Sequence, residues 1–209
     1  MGKQRWGRGG DMRRMLANEA ARVIAEDGIR DYRLAKRKAA LRFGVSERDA
    51  GFPSNQEIED ALTEYQRLFQ ADTQPQALRE LRRAARQAML LFAEFEPRLV
   101  GPVLSGNANR HSAVQLHLFA DASERVVMYL LDRDIPFEAQ EKRFRLTNGQ
   151  YQEFPAYRFV AGDVAIEAVV FPGTGIRQSP ASPLDGKPMR RASLTEVEAL
   201  LSEGQADQS

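Results

Sequence analysis

The chain of 209 residues contains no cysteine. Disulfides and thiolate-bound metals are therefore excluded, and a reducing compartment fits that usage. No apolar run approaches the roughly 18 to 20 residues that a bilayer-spanning helix needs. The basic start of the chain, through Met15, lacks the apolar segment of a secretory signal, and Trp6 stands where a myristoylation pattern requires Ser or Thr. These absences give the expectation of a cytoplasmic protein with no membrane partner. Charge of one sign is not in excess either: the net charge is +1, too little for a global field toward nucleic acid. Three catalytic signatures are missing as well. There is no Gly-x-x-x-x-Gly-Lys-Ser/Thr phosphate loop. Gly7-Arg8-Gly9-Gly10 precedes no strand–helix unit and makes no dinucleotide fingerprint. No Gly-x-Ser-x-Gly elbow marks a serine hydrolase.

What the chain does have is an uneven distribution of charge and texture. Residues 1–44 hold 12 Lys or Arg against 5 Asp or Glu, a net of +7, and the remainder is acidic at −6. After a basic flexible leader over residues 1–10, apolar residues recur at helical spacing. Met12, Met15, Leu16, Ala20, Val23 and Ile24 share a face over 11–27, with Gly28 as a stop. Ile29, Tyr32, Ala35, Ala39 and Phe43 share one over 29–43. A third helix starts at the capping box Ser54-x-x-Glu57, with Ile58, Ala61, Leu62, Tyr65 and Leu68 inward. A fourth, near 76–95, carries Leu78, Leu81, Ala85, Met89 and Phe92. Together these form a helical region over 11–97.

Beyond Pro97 the period changes to that of strands. Val114–Phe119 and Val164–Phe171 read as strands, 122–133 as a helix, and Phe137–Leu146 and Tyr151–Val160 as a hairpin joined at Asn148-Gly149. The fold class expected is α+β: an N-terminal helical region followed by a small mixed sheet with helices over 98–172. A Pro-rich tail over 173–209 ends in a short helix capped by Ser193-x-x-Glu196.

The most informative stretch is VLSGNANRHSAVQLHLFAD, from Val103 to Asp121. A small-residue turn containing Ser105, Gly106 and Asn107 leads through Arg110, His111 and Ser112 into the strand Val114–Phe119. This frame resembles the signature of the nucleotidyltransferase fold, in which a Gly-Ser turn precedes a strand bearing two metal-binding carboxylates as Ser-Asp-x-Asp-Leu. Here the matching run is Ser112-Ala113-Val114-Gln115-Leu116. Both carboxylates are absent, with Ala113 and Gln115 in their places, and Ser105-Gly106 reverses the usual order of the turn. Glu167, in the later strand, matches a third family carboxylate.

The resemblance implies a nucleotidyltransferase-like sheet, a turn facing nucleotide phosphates through Ser105, Gly106, Asn107, Arg110, His111 and Ser112, and degenerate metal positions at Ala113, Gln115 and Glu167. Ala113 cannot bind a cation, and the neutral oxygen of Gln115 is a poor substitute for a carboxylate at Mg²⁺. The function expected is therefore a noncatalytic protein binding a nucleotide, RNA or a protein partner, with no cofactor. The alternatives are an active nucleotidyltransferase with an altered, Mg²⁺-dependent acidic site built from Glu167, Asp163 or Asp121, and a structural adaptor.

Other residues stand outside that frame. Arg30, Arg33, Lys36 and Arg37 project from one side of the second helix, at a spacing that tracks a phosphate backbone or suits an acidic protein partner. Arg5, Trp6 and Arg8 add stacking and charge to the same end. The two histidines, His111 and His117, have no visible third group to orient them. Arg143 and Arg145 alternate with Phe144 on the first hairpin strand, as a supplement to the anion site or as the solvated edge of a sheet.

Overall fold

The computed structural model describes residues 6–29, 31–46 and 51–206. The architecture is α+β, with helices preceding a mixed five-stranded sheet. The chain divides into two compact units: residues 1–74 with 183–185, and residues 75–182 with 186–209. Among the described residues no helix is long and apolar enough to cross a membrane.

The first unit contains α1 (Trp6–Asp27), α2 (Tyr32–Phe43) and α3 (Asn55–Phe69). Leu16, Ala17, Ala20 and Val23 of α1 bury against Ala35, Ala39 and Ala40 of α2 and Ile58 of α3. So many alanines at the seam let the backbones approach closely. Helix α1 begins at Trp6, so residues 6–10, expected as leader, are helical. Helix α2 begins at Tyr32 rather than 29, because the Asp31 carboxylate accepts the N–H groups of Arg33 at 2.7 Å and Leu34 at 3.2 Å, two donors that a helix start leaves unsatisfied. The capping box at Ser54 forms in both directions: Glu57 N donates to Ser54 Oγ and Ser54 N donates to Glu57 Oε2. Two residues expected inward are not. Met15 is 45% exposed and Leu68 is 59% exposed. The buried line of α3 runs through Ile58, Leu62 and Gln66 at four-residue intervals, and Leu68 lies two residues, about 200°, beyond it.

The second unit contains α4 (Gln74–Leu91), β1 (Arg98–Val100), the short α5 (Pro102–Ser105), β2 (Val114–Phe119), α6 (Glu124–Leu131), β3 (Glu138–Arg145), β4 (Tyr151–Ala161), β5 (Val164–Phe171) and α7 (Leu194–Ala206). The sheet order is β1-β2-β5-β4-β3. β2 and β5 are parallel neighbours, and the other pairs are antiparallel. Gly149 turns the β3–β4 hairpin at φ +86°, where a residue with a Cβ is disfavoured.

The helical region ends earlier than expected. Helix α4 belongs with the sheet: its Leu81, Ala85, Ala88 and Met89 share one core with Leu116 and Leu118 of β2, Ile166, Ala168 and Val170 of β5, Leu130 of α6 and Val197 of α7. An amphipathic stripe shows that a face is buried but not against what. Strand β1, which the sequence does not announce, has three residues, too few to show alternation.

The opposite face of the sheet holds a smaller core of Phe119, Phe154, Ala156, Val169 and Phe171, with Ile176 packed against it. The tail is therefore structured over its described residues, 173–206. Leu99 and Ala192 exchange backbone hydrogen bonds at 2.9 Å, Ala181 bridges to Pro188, and Ser193 caps α7 through Glu196.

Candidate functional site

Strand alternation assigns the polar residues to faces. Gln115, His117 and Phe119 of β2 share a face with Glu167, Val169 and Phe171 of β5, opposite the α4 side. In the parallel register Gln115 stands beside Glu167 and His117 beside Val169. The turn is tied to this pair at its start. Gly101, at φ +72°, opens α5, and a Cβ built there would sit 2.3 Å from Gln115 Oε1. Only glycine allows the Gln115 carboxamide to lie against the backbone at that point. The start of α5, Gln115 and Glu167 thus lie in sequence along this face, and Ala113 lies buried immediately before β2.

The polar groups of the turn are partly engaged in shaping it. Ser105 is exposed, and its hydroxyl donates to Pro102 O at 3.4 Å. Gly106 closes α5 with its N–H on Pro102 O, and Asn107 is half-buried. Asn109 Oδ1 accepts from His111 N at 2.9 Å, while Ser112 Oγ accepts from Asn109 N at 3.0 Å. Ser112 therefore serves the closure of the loop. Arg110 and His111 are exposed side by side, with Arg110 Nε donating to His111 Nε2 at 3.0 Å.

Glu167 is only 8% exposed. Its carboxylate accepts from Lys142 Nζ at 2.6 Å and from Gln140 Nε2 at 3.3 Å, both from β3. Sequence reasoning singled out Arg143 and Arg145, but alternation puts those on the other face, where Arg143 lies over the Tyr151 ring at 4.4 Å. The out-of-phase Lys142 is the residue that reaches the site. A Mg²⁺ ion does not fit this donor set: Ala113 offers no oxygen, Gln115 offers a neutral one, and the Glu167 carboxylate is already charge-paired with an ammonium. Among the described residues no cluster of three or more His, Cys, Asp or Glu side chains is placed to hold a metal. Asp121 and Asp163 supply no such cluster with Glu167.

His117 is 1% exposed, with its ring against Phe171 at 4.5 Å and Phe144 at 5.6 Å. The third group that orients it, invisible in sequence, is Arg191, whose Nε donates to His117 Nδ1 at 2.9 Å across 74 residues of chain. Accepting at Nδ1 leaves the ring proton on Nε2. Burial, with Arg191 and Lys142 nearby, pushes the His117 pKa well below the usual histidine value, so the ring is neutral at neutral pH.

In the helical unit, Arg33 and Arg37 are exposed and Lys36 is half-buried, and none of the three is ion-paired with a described residue. Lys38 and Arg42 of the same helix are paired, with Asp27 at 3.4 Å and Glu19 at 3.1 Å. Arg5 and Arg30 lie outside the described residues, as do the side chains of Trp6 and Arg8. No family model, curated protein or solved structure matches this chain.

Proposed function

We propose that the chain is a noncatalytic, nucleotidyltransferase-like protein that binds a nucleotide without a divalent metal. The observation that carries this reading is the Lys142–Glu167 pair beside Gln115. In the resembled fold, carboxylates at these positions gather metal ions that clamp the triphosphate and activate a hydroxyl. Here the one remaining acid is neutralised by an internal ammonium at 2.6 Å, so it no longer repels an anion. Such a site tolerates phosphate but lacks the metal clamp that drives transfer. Titration of the full chain with ATP should give an affinity that EDTA leaves unchanged. Incubation with labelled nucleoside triphosphates, Mg²⁺ or Mn²⁺ and candidate acceptors should give no product. Turnover that disappears in Glu167→Gln would overturn the reading in favour of an active enzyme with an altered acidic site.

A second reading concerns the helical unit: the cations Arg33, Lys36 and Arg37, with no paired carboxylate among the described residues, favour binding of single-stranded RNA. Each phosphate neutralised on a single strand contributes about 0.7 to the slope of log K against log salt. The double reversal Arg33→Glu with Arg37→Glu should flatten that slope by about 1.4 while changing stability by no more than about 0.5 kcal/mol. Filter binding across a salt series measures it. Salt-independent or absent binding by the native chain leaves α2 as a solvated face or a surface for an acidic protein.

A further inference from the structure

Arg191 is a half-buried cation with no carboxylate partner among the described residues. Nε donates to His117 Nδ1 at 2.9 Å, and Nη1 donates to Gly175 O at 2.8 Å. Nη2 is buried and has no hydrogen-bond partner. Leaving such donors unsatisfied is costly, and more so on a charged group. The guanidinium lies over the adjacent rings of Phe119 and Phe171, which are 6.1 Å apart, at 4.9 Å and 5.0 Å from their centroids, so packing as well as hydrogen bonds holds it in place. A neutral histidine orients it but does not balance its charge.

The surroundings add positive charge. Arg98 stands directly across from His117 in the β1–β2 register and, with burial, holds the Arg191 pKa down to about 10. Lys142 approaches the same histidine from the β3 side. Three cations thus approach one end of this face; Lys142 is paired with Glu167 at 2.6 Å and Arg98 with Glu96 at 3.4 Å, which leaves Arg191 as the one of the three without a carboxylate partner among the described residues.

We propose that Arg191 anchors an oxyanion site on this face of the sheet and that its occupant is a phosphate group. The planar fork of a guanidinium matches a phosphate edge through two parallel N–H···O bonds, and the unpartnered Nη2 supplies the donor that His117 and Gly175 leave over. Because Nη2 is closed off from solvent, binding moves the side chain or the segment over 173–178 that packs on it. The site rests on the nucleotide reading only for the source of the phosphate, a nucleotide or the free inorganic ion.

The chain has two histidines, so the imidazole Cε1–H resonances of the full protein give a two-signal report, assigned with His111→Gln. Inorganic phosphate, AMP and adenosine are added separately at constant ionic strength. The His117 signal should move with phosphate and with AMP and stay fixed with adenosine and with chloride. Arg191→Lys, which keeps the charge and loses the fork, should weaken that response roughly tenfold. No movement of the His117 signal in the native chain overturns the site, and so does a response that Arg191→Lys and Arg191→Gln leave unchanged. If both variants fail to fold, the native titration decides alone. ATP binding without any His117 shift removes this site and leaves the nucleotide reading intact. A His117 shift with inorganic phosphate, and no gain in affinity from the nucleoside of AMP, supports the site and removes the nucleotide reading.

Discussion

Replacing Phe92 by alanine is expected to lower the stability of the sheet-bearing unit by about 3–5 kcal/mol. Phe92 is fully buried and meets three other rings, Tyr129 and Phe159 at 5.7 Å and Phe95 at 6.3 Å. Tyr129 in turn donates its hydroxyl to Leu91 O. The ring therefore ties the end of α4 to α6 and β4, and truncation leaves a cavity that fixed neighbours cannot fill. A chain of two compact units need not unfold in one step, so the measurement must report on the right unit. Amide hydrogen exchange at Leu116 and Val170 does so. Exchange free energies within about 1 kcal/mol of the native protein would show that the aromatic cluster does not tie these elements together.

The second large effect is a loss of stability on mild acidification. Burial, with Arg191 and Lys142 nearby, holds the folded-state pKa of His117 well below the ordinary histidine value of about 6.5. Between that folded value and 6.5 the unfolded chain binds a proton that the native state refuses. Stability is therefore full above the unfolded pKa and falls as pH drops through the window, by at most about 1.4 kcal/mol per pH unit. The cost has a geometric origin: a proton on Nδ1 removes the acceptor of the Arg191 hydrogen bond and places an imidazolium against two cations. Carboxylates act lower. Glu57, held down to about 2 by Arg13 and the Ser54 N–H, contributes stability that is lost only below about pH 4.5. Urea unfolding between pH 4.5 and 6.5 should thus show a slope in the native chain that His117→Gln flattens. Equal slopes in the two proteins would mean that His117 is not the titrating group.

Much of the local structure was legible because it is set by near neighbours in the chain. The capping box at Ser54, the hairpin at Asn148-Gly149 and the strands Val114–Phe119 and Val164–Phe171 each depend on a few adjacent residues and appear where the sequence implies. The inability of Ala113 and Gln115 to act as carboxylate ligands was legible too, since a side chain's donor chemistry is fixed by its identity. The participation of Lys142 was hidden by one residue of strand phase, which moves a side chain from one face of a sheet to the other.

What only the tertiary structure decided involves longer range. The stripe of α4 marked a buried face, yet its assignment to the sheet rather than to the helices before it depends on which apolar surface remains to be covered, a property of the folded whole. The exposure of Met15 and Leu68 follows from where α1, α2 and α3 meet. Above all, Arg191 reaches His117 because the tail folds back over the sheet and pairs Ala192 with Leu99. In the sequence Arg191 is one basic residue in a Pro-rich tail. Burial against Phe119 and Phe171, with a donor left over, is what gives that residue its chemistry.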